Sequence, residues 1–81
     1  MIVDDEPAAG NILQLLIKKH VQGEIETRQY NQPELALAAL EKFNPTLVML
    51  DIEMPSMNGF DFLNKAAHCN FDVIFTTAFD K

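Results

Sequence analysis

The sequence predicts an α/β fold built on a parallel sheet, and three observations carry that reading. Short β-type runs alternate with helical patterns along the 81 residues, as they do in chains of βαβ units. The run Thr46-Leu47-Val48-Met49-Leu50 is apolar or β-compatible at nearly every position, which fits a strand covered on both faces. This run and the first one both pass directly into acid, at Asp51 and at Asp4-Asp5. In open parallel sheets, ligands sit beyond the carboxyl ends of the strands. An unpaired carboxylate is costly to bury, so Asp51 is the first candidate for chemistry.

Met1-Ile2-Val3 is a β-type fragment, short against the usual strand of about five residues. Pro7 suits the first turn of a helix, and the acids before it suit a helix N-terminus. The spacing of Ile12, Leu13, Leu15, Leu16 and Ile17 predicts a helix from about Ala8 to His20, with Lys18, Lys19 and His20 in its last turn, where cations oppose the negative end of the helix dipole. Gly23 breaks the chain, and Glu24 to Tyr30 reads as a strand with Ile25 inward. Asn31 with Glu34 has the form of a capping box. Leu35, Ala36, Ala38, Ala39, Leu40 and Phe43 then form a helix that Asn44-Pro45 ends. After the strand that leads to Asp51 comes a loop through Pro55 and Gly59. A third helix is expected over Phe60 to His68, with Phe60, Leu63 and Ala67 on one side, and a last strand over Phe71 to Thr77. The order is β-α-β-α-β-α-β, with right-handed crossovers expected.

The bulk properties narrow the function. A chain of 81 residues is one small domain, burying only roughly 60–65% of its unfolded surface. Its 48% hydrophobic and 22% charged residues exclude disorder. The net charge of −6 argues against a nucleic-acid surface in this segment, because phosphate contacts need clustered Lys and Arg. The single cysteine, Cys69, excludes an internal disulfide and fits a reducing compartment. Met1 leads straight into Ile-Val-Asp-Asp-Glu, without the basic start or apolar stretch of a signal peptide. No segment approaches the ~20 apolar residues of a membrane span. The expectation is a cytoplasmic domain with no membrane contact.

Parallel strands deliver their carboxyl ends to one edge of the sheet, so Asp4, Asp5, Asp51 and Thr77 are expected to converge. Carboxylates packed together repel by roughly 4 kcal/mol per close pair at an effective dielectric near 20. Such a cluster takes up protons or holds a cation. Oxygen ligands without His or Cys suit Mg²⁺, which uses one or two carboxylates together with phosphate oxygens. A carboxylate can also serve as a nucleophile toward a phosphoryl group, whose charge a metal would neutralise. Thr77 would offer its hydroxyl to a ligand oxygen. Taken singly, Asp4-Asp5 reads as a helix cap, Thr77 as a β former and His20 as part of a helix-end cluster; the set gains its meaning from its common placement.

Ile2-Val3-Asp4-Asp5-Glu6-Pro7, Leu50-Asp51-Ile52-Glu53-Met54-Pro55 with Asn58-Gly59, and Phe75-Thr76-Thr77-Ala78 resemble, in residues and in spacing, the receiver domains of two-component response regulators. The resemblance runs over the whole chain, 1–81. It implies a flavodoxin-like (CheY-like) doubly wound parallel sheet of order 2-1-3-4. It further implies that Asp51 accepts a phosphoryl group from a histidine kinase and that Asp4 and Asp5 form an acid pocket. Asp5, Asp51 and the backbone carbonyl of Glu53 would be the Mg²⁺ ligands. Thr77 would bind a phosphoryl oxygen, and Pro55 and Gly59 would shape the adjacent loop. The ending Thr-Thr-Ala-Phe-Asp-Lys is similar to receivers that carry a LytTR-type DNA-binding domain, so contact with DNA would come only through an output domain.

The chain departs from the family pattern at its C-terminal side. A receiver continues through a fourth helix, a fifth strand that ends in Lys-Pro, and a fifth helix; this sequence corresponds to roughly the N-terminal two thirds. Lys81 lies in the loop after the Thr77 strand and is not that lysine. Impaired phosphorylation and signalling are therefore expected of this segment alone. The alternative reading is a non-catalytic interaction module that self-associates through the exposed side of its fourth strand. A metal-dependent phosphatase is a third reading. It would want a second Asp two residues past Asp51, where Glu53 stands.

Overall fold

The computed structural model describes residues 1–76. Seven elements follow in the expected order: β1 (Ile2–Val3), α1 (Pro7–His20), β2 (Gln29–Tyr30), α2 (Pro33–Phe43), β3 (Leu47–Asp51), α3 (Gly59–Lys65) and β4 (Asp72–Thr76). All strand pairings are parallel, and the sheet order is β2-β1-β3-β4. This is the order implied by the family resemblance. The chain passes from β1 outward to β2, then returns across β1 to β3, so the winding reverses between β1 and β3. Doubly wound sheets bind their ligands at such a reversal.

The two faces of the sheet are packed differently. Val3, Val48 and Leu50 point to one face, where Ala36 and Leu40 of α2 and Phe62 of α3 join them, with Ala66 just past α3; all are essentially buried. The opposite face carries α1. There Ile2 is buried, but Ile17, Val21, Ile25, Phe43, Met49 and Ile74 line an open apolar groove of about 530 Å³.

Several local expectations need correction. The second strand is far shorter than Glu24–Tyr30: only Gln29 and Tyr30 pair with β1. The Arg28 carbonyl accepts the Ile2 N–H at 2.8 Å, residues 24–27 form no ladder, and Ile25, expected inward, is half exposed on the groove rim. The Asn31 capping box does not form. Gln32 occupies the N-cap without a side-chain bond, and Pro33 starts the helix, its preset φ replacing the cap. The third helix starts one residue earlier than expected and stops at Lys65, with Gly59 and Phe62 as its buried residues. Of Phe60, Leu63 and Ala67, expected on one apolar side, only Leu63 is partly buried; Ala67 is exposed, and so is Phe60, which lies against the Phe75 ring at 5.2 Å between centroids. On α1, Ile12, Leu15 and Leu16 are exposed, so only part of its apolar stripe meets the sheet.

Candidate functional site

β1 and β3 end side by side, with Ile2 opposite Met49 and Val3 opposite Leu50. The residues that follow therefore share one corner of the sheet. Asp4 and Asp51 are buried and Asp5 is half-buried, and the three side chains offer carboxylate oxygens that all lie within 4.8 Å of one another. Sequence reasoning expected this convergence, and the strand register produces it.

Backbone amides orient two of the three acids. Asp4 Oδ1 accepts from the Glu6 N–H at 2.9 Å, closing a tight turn that leads into α1. Asp51 Oδ1 accepts from the Glu53 N–H at 3.2 Å, the same two-residue reach on the other strand. Such Asx turns are local and cheap in conformational entropy. Burial pushes the Asp51 carboxyl up from 3.8 to about 6. The Glu53 N–H favours the anion and opposes this shift, while the negative charge of Asp4 and the hydrogen bond and charge of Asp5 reinforce it. The acid on the central strand thus carries its charge at neutral pH at a cost that a nearby cation would relieve.

The loop after Asp51 is fixed by its own contacts. Met54 tucks into the core and Pro55 remains exposed. The Gly59 N–H donates to the Ile52 carbonyl at 2.8 Å. A Cβ at Gly59 would stand 2.9 Å from the Asp51 carbonyl oxygen and 3.1 Å from Ile52 Cα, so only glycine lets α3 approach the strand end this closely. Asn58 caps α3, its Oδ1 accepting from the Asp61 N–H at 2.8 Å. That cap was legible as Asn followed three residues later by an acid, though sequence reasoning had not drawn it. Asp5, Glu53, Met54, Pro55, Asn58 and Phe60 contribute to the lining of an open cleft of about 560 Å³ beside the acids. The exposed Glu53 sits on its rim. Thr77, the fourth member of the expected set, lies outside the described residues, as do residues 78–81; Thr76 immediately before it pairs with Asp51.

The comparisons with known proteins agree with this geometry. Residues 1–81 match the response regulator receiver domain. The chain belongs to that family. A receiver of this kind is a phosphoacceptor domain and not a catalytic enzyme in itself. Over 65 residues the chain is 40% identical to the protein-glutamate methylesterase/protein-glutamine glutaminase of Agrobacterium fabrum, covering 80% of this chain and 18% of that protein. It is 35% identical to the transcriptional regulatory protein BtsR of Salmonella typhimurium, covering all of this chain and 34% of that protein. Among solved structures, a LuxR-family DNA-binding response regulator from Staphylococcus aureus superposes with a TM-score of 0.79 at 34% identity, covering 99% of this receiver and 68% of that chain. A two-component transcriptional regulator AraC from Clostridium phytofermentans gives 0.82 at 25% identity, covering 98% and 65%. The chain thus spans about a third or less of the curated relatives quoted and about two thirds of the solved ones.

The donor set also fits the divalent cation that receivers bind. Three carboxylates offer only oxygen, and two of them are buried with their charges close together. This is hard-cation chemistry. Among the described residues no helix is long and apolar enough to cross a membrane.

Proposed function

We propose that this receiver takes a phosphoryl group from a histidine kinase onto Asp51, with Mg²⁺ held by Asp5, Asp51 and the main-chain carbonyl of Glu53. The convergence of the three carboxylates at the β1/β3 reversal is the observation that carries this reading. Asp51 is the nucleophile because it ends the interior strand β3, has one oxygen oriented by the Glu53 N–H and is flanked by Ile52 and Glu53, which line the cleft. One of its oxygens bonds to phosphorus as the donor's N–P bond breaks, and the electron pair stays on the imidazole nitrogen, which then takes a proton. Asp4 is the buried member of the acid pair: its carboxylate accepts from the Glu6 N–H, which fixes the direction in which Asp5 leaves the strand. Bound Mg²⁺ would offset the crowding of negative charge between the acids and the incoming phosphoryl oxygens. Thr77 is assigned the phosphoryl-oxygen contact, and Pro55 and Gly59 the shaping of the loop.

The partner is a cognate histidine kinase, which the receiver meets in the cytoplasm, and the output is regulation of transcription through a separate DNA-binding domain. The likeness to a transcriptional regulatory protein over the whole chain and to a LuxR-family DNA-binding response regulator supports that output. The decisive experiment is intact mass spectrometry after incubation with Mg²⁺ and acetyl phosphate, using both this chain and a version extended by the fourth helix, fifth strand and fifth helix of a family receiver. The expected result is a one-phosphoryl increase that disappears in Asp51→Asn and with EDTA, and is weaker in the 81-residue chain. No increase even in the extended version would overturn the assignment.

A specific observation favours a second reading, self-association through β4. The Asp72 N–H and the Thr76 carbonyl bond toward β3. Because sides alternate along a strand, the main-chain groups of Val73 and Phe75 face away from it. Among the described residues β4 is paired on one side only, and such an edge accepts another strand. Sedimentation of this chain should show a concentration-dependent dimer; a strict monomer across the range would remove the reading.

A further inference from the structure

From the contacts of β2 we infer that Gln29 is a positioning residue for Asp5, acting as a clamp on the loop that carries it. β2 is only two residues long, yet each of its residues holds one end of that loop. At the start, the Asp4 N–H donates to the Tyr30 carbonyl at 3.0 Å. At the finish, Gln29 Nε2 donates to the Pro7 carbonyl at 3.0 Å. Between these anchors lie Asp4, Asp5 and Glu6, closed internally by the Glu6 N–H to Asp4 Oδ1 bond. Asp5 is the half-buried acid of this loop, its carboxylate within 4.8 Å of Asp51 alongside that of the buried Asp4, and β2 fixes the chain on either side of it.

The Gln29 side chain is itself held. Its Oε1 accepts from Gln14 Nε2 at 2.9 Å, and Gln14 Oε1 accepts in turn from the Thr27 hydroxyl at 3.4 Å. The relay runs Thr27, Gln14, Gln29, Pro7, and it ties α1 to β2 by side-chain polar groups. The space for it comes from Gly10, the buried glycine of α1. A Cβ there would overlap Gln29 Nε2 and lie 2.6 Å from Cδ and 3.0 Å from Cγ. No φ requirement explains this glycine, since it lies inside a regular helix, where glycine is otherwise disfavoured. The side chain it accommodates explains it. Gly10 and Gln29 act as a pair: the helix gives up a side chain so that an amide can reach the helix's first carbonyl.

The pairing gives two independent ways to release the clamp. Gln29→Met keeps length and volume but removes the donor. Gly10→Ala leaves Gln29 in place but forces its flexible side chain out of the pocket, while improving the helical propensity of α1. Both variants should speed amide hydrogen exchange at Glu6 and Ala9 by about threefold to tenfold, the factor of roughly one net hydrogen bond. The α2 amides serve as the internal reference for global unfolding, and Gly10→Ala should not lower the thermal midpoint. Because this inference rests on Asp5 as a cation ligand, calorimetric Mg²⁺ titration is run in parallel, and affinity should fall threefold to tenfold in both variants. Exchange at Glu6 and Ala9 that stays within twofold of wild type, or moves only in step with α2, would overturn the clamp. If the wild-type chain takes up no Mg²⁺, the cation reading fails by itself, and exchange in the metal-free chain still decides the clamp.

Discussion

Removing the charge of Asp51 should stabilise the metal-free chain. The carboxyl is raised from 3.8 to about 6, chiefly by burial, so the folded protein holds this proton more tightly than the unfolded chain. At about 1.4 kcal/mol per unit, the difference amounts to about 3 kcal/mol of stability forgone when the group ionises. The sign follows from linkage. Below pH 3.8 the group is protonated in both states and costs nothing. Between there and about pH 6 the penalty grows, and above that it is constant. Asp51→Asn keeps the shape and the acceptor for the Glu53 N–H but cannot ionise. In EDTA at pH 7 its urea midpoint should exceed that of wild type by more than about 1 M, given the m-values of small domains, and at pH 4 the two should nearly coincide. Mg²⁺ should narrow the gap at pH 7 by stabilising the wild type alone. A variant no more stable than wild type at pH 7, or an advantage independent of pH between 4 and 7, would refute the argument that buried like charges strain this corner.

Gly59→Ala should destabilise by about 1–3 kcal/mol, the usual cost of forced overpacking, since the new methyl meets backbone at Asp51 and Ile52; the phosphoryl uptake proposed for Asp51 should fall with it, and a variant with unchanged denaturation midpoint would contradict the contact. Asn58→Ala should cost about 1 kcal/mol through the lost cap of α3, read by the same denaturation, whereas a loss below a few tenths would mean the Asp61 amide is satisfied otherwise. Phe62→Ala, at a fully buried position, should cost about 3–5 kcal/mol. Set against a total stability of about 4–12 kcal/mol for a chain this size, circular dichroism should show a partly or wholly unfolded population, and a cooperative melt near that of wild type would refute the placement of Phe62 in the core.

The sequence disclosed the fold because its strongest signals are non-local in consequence but local in form. An apolar run that stops at Asp51, and a shorter one that stops at Asp4, each mark a strand end without reference to any other residue, and parallel pairing alone brings them together. Phase and extent were harder to read. Phe60 looks like a core residue by composition, yet Gly59 must face the backbone of Asp51, and that contact rotates the helix so that Phe62 points inward. Residues 24–27 have the content of a strand and no ladder, because contact with β1 begins only at the Arg28 carbonyl and the paired residues are Gln29 and Tyr30. Asn31 looked like a cap, but Pro33 shifted the helix start. Gln29 itself carried no signal: its partners Pro7, Gly10 and Gln14 are distant in sequence, and a glutamine at a strand end resembles any surface amide.

The register of β1 against β3 has a consequence for how the domain comes into being. Asp4 and Asp51 are separated by more than half of the 81-residue chain, and their strands meet only when the long segment between them has closed. Closing such a segment is slow in folding, because its entropy is spent before the contact forms. An isolated hairpin or helix pair cannot imitate the acid corner, since neither contains both strand ends. A nascent or collapsed chain therefore offers a phosphoryl donor nothing to act on, and competence to receive the signal arrives together with the native sheet.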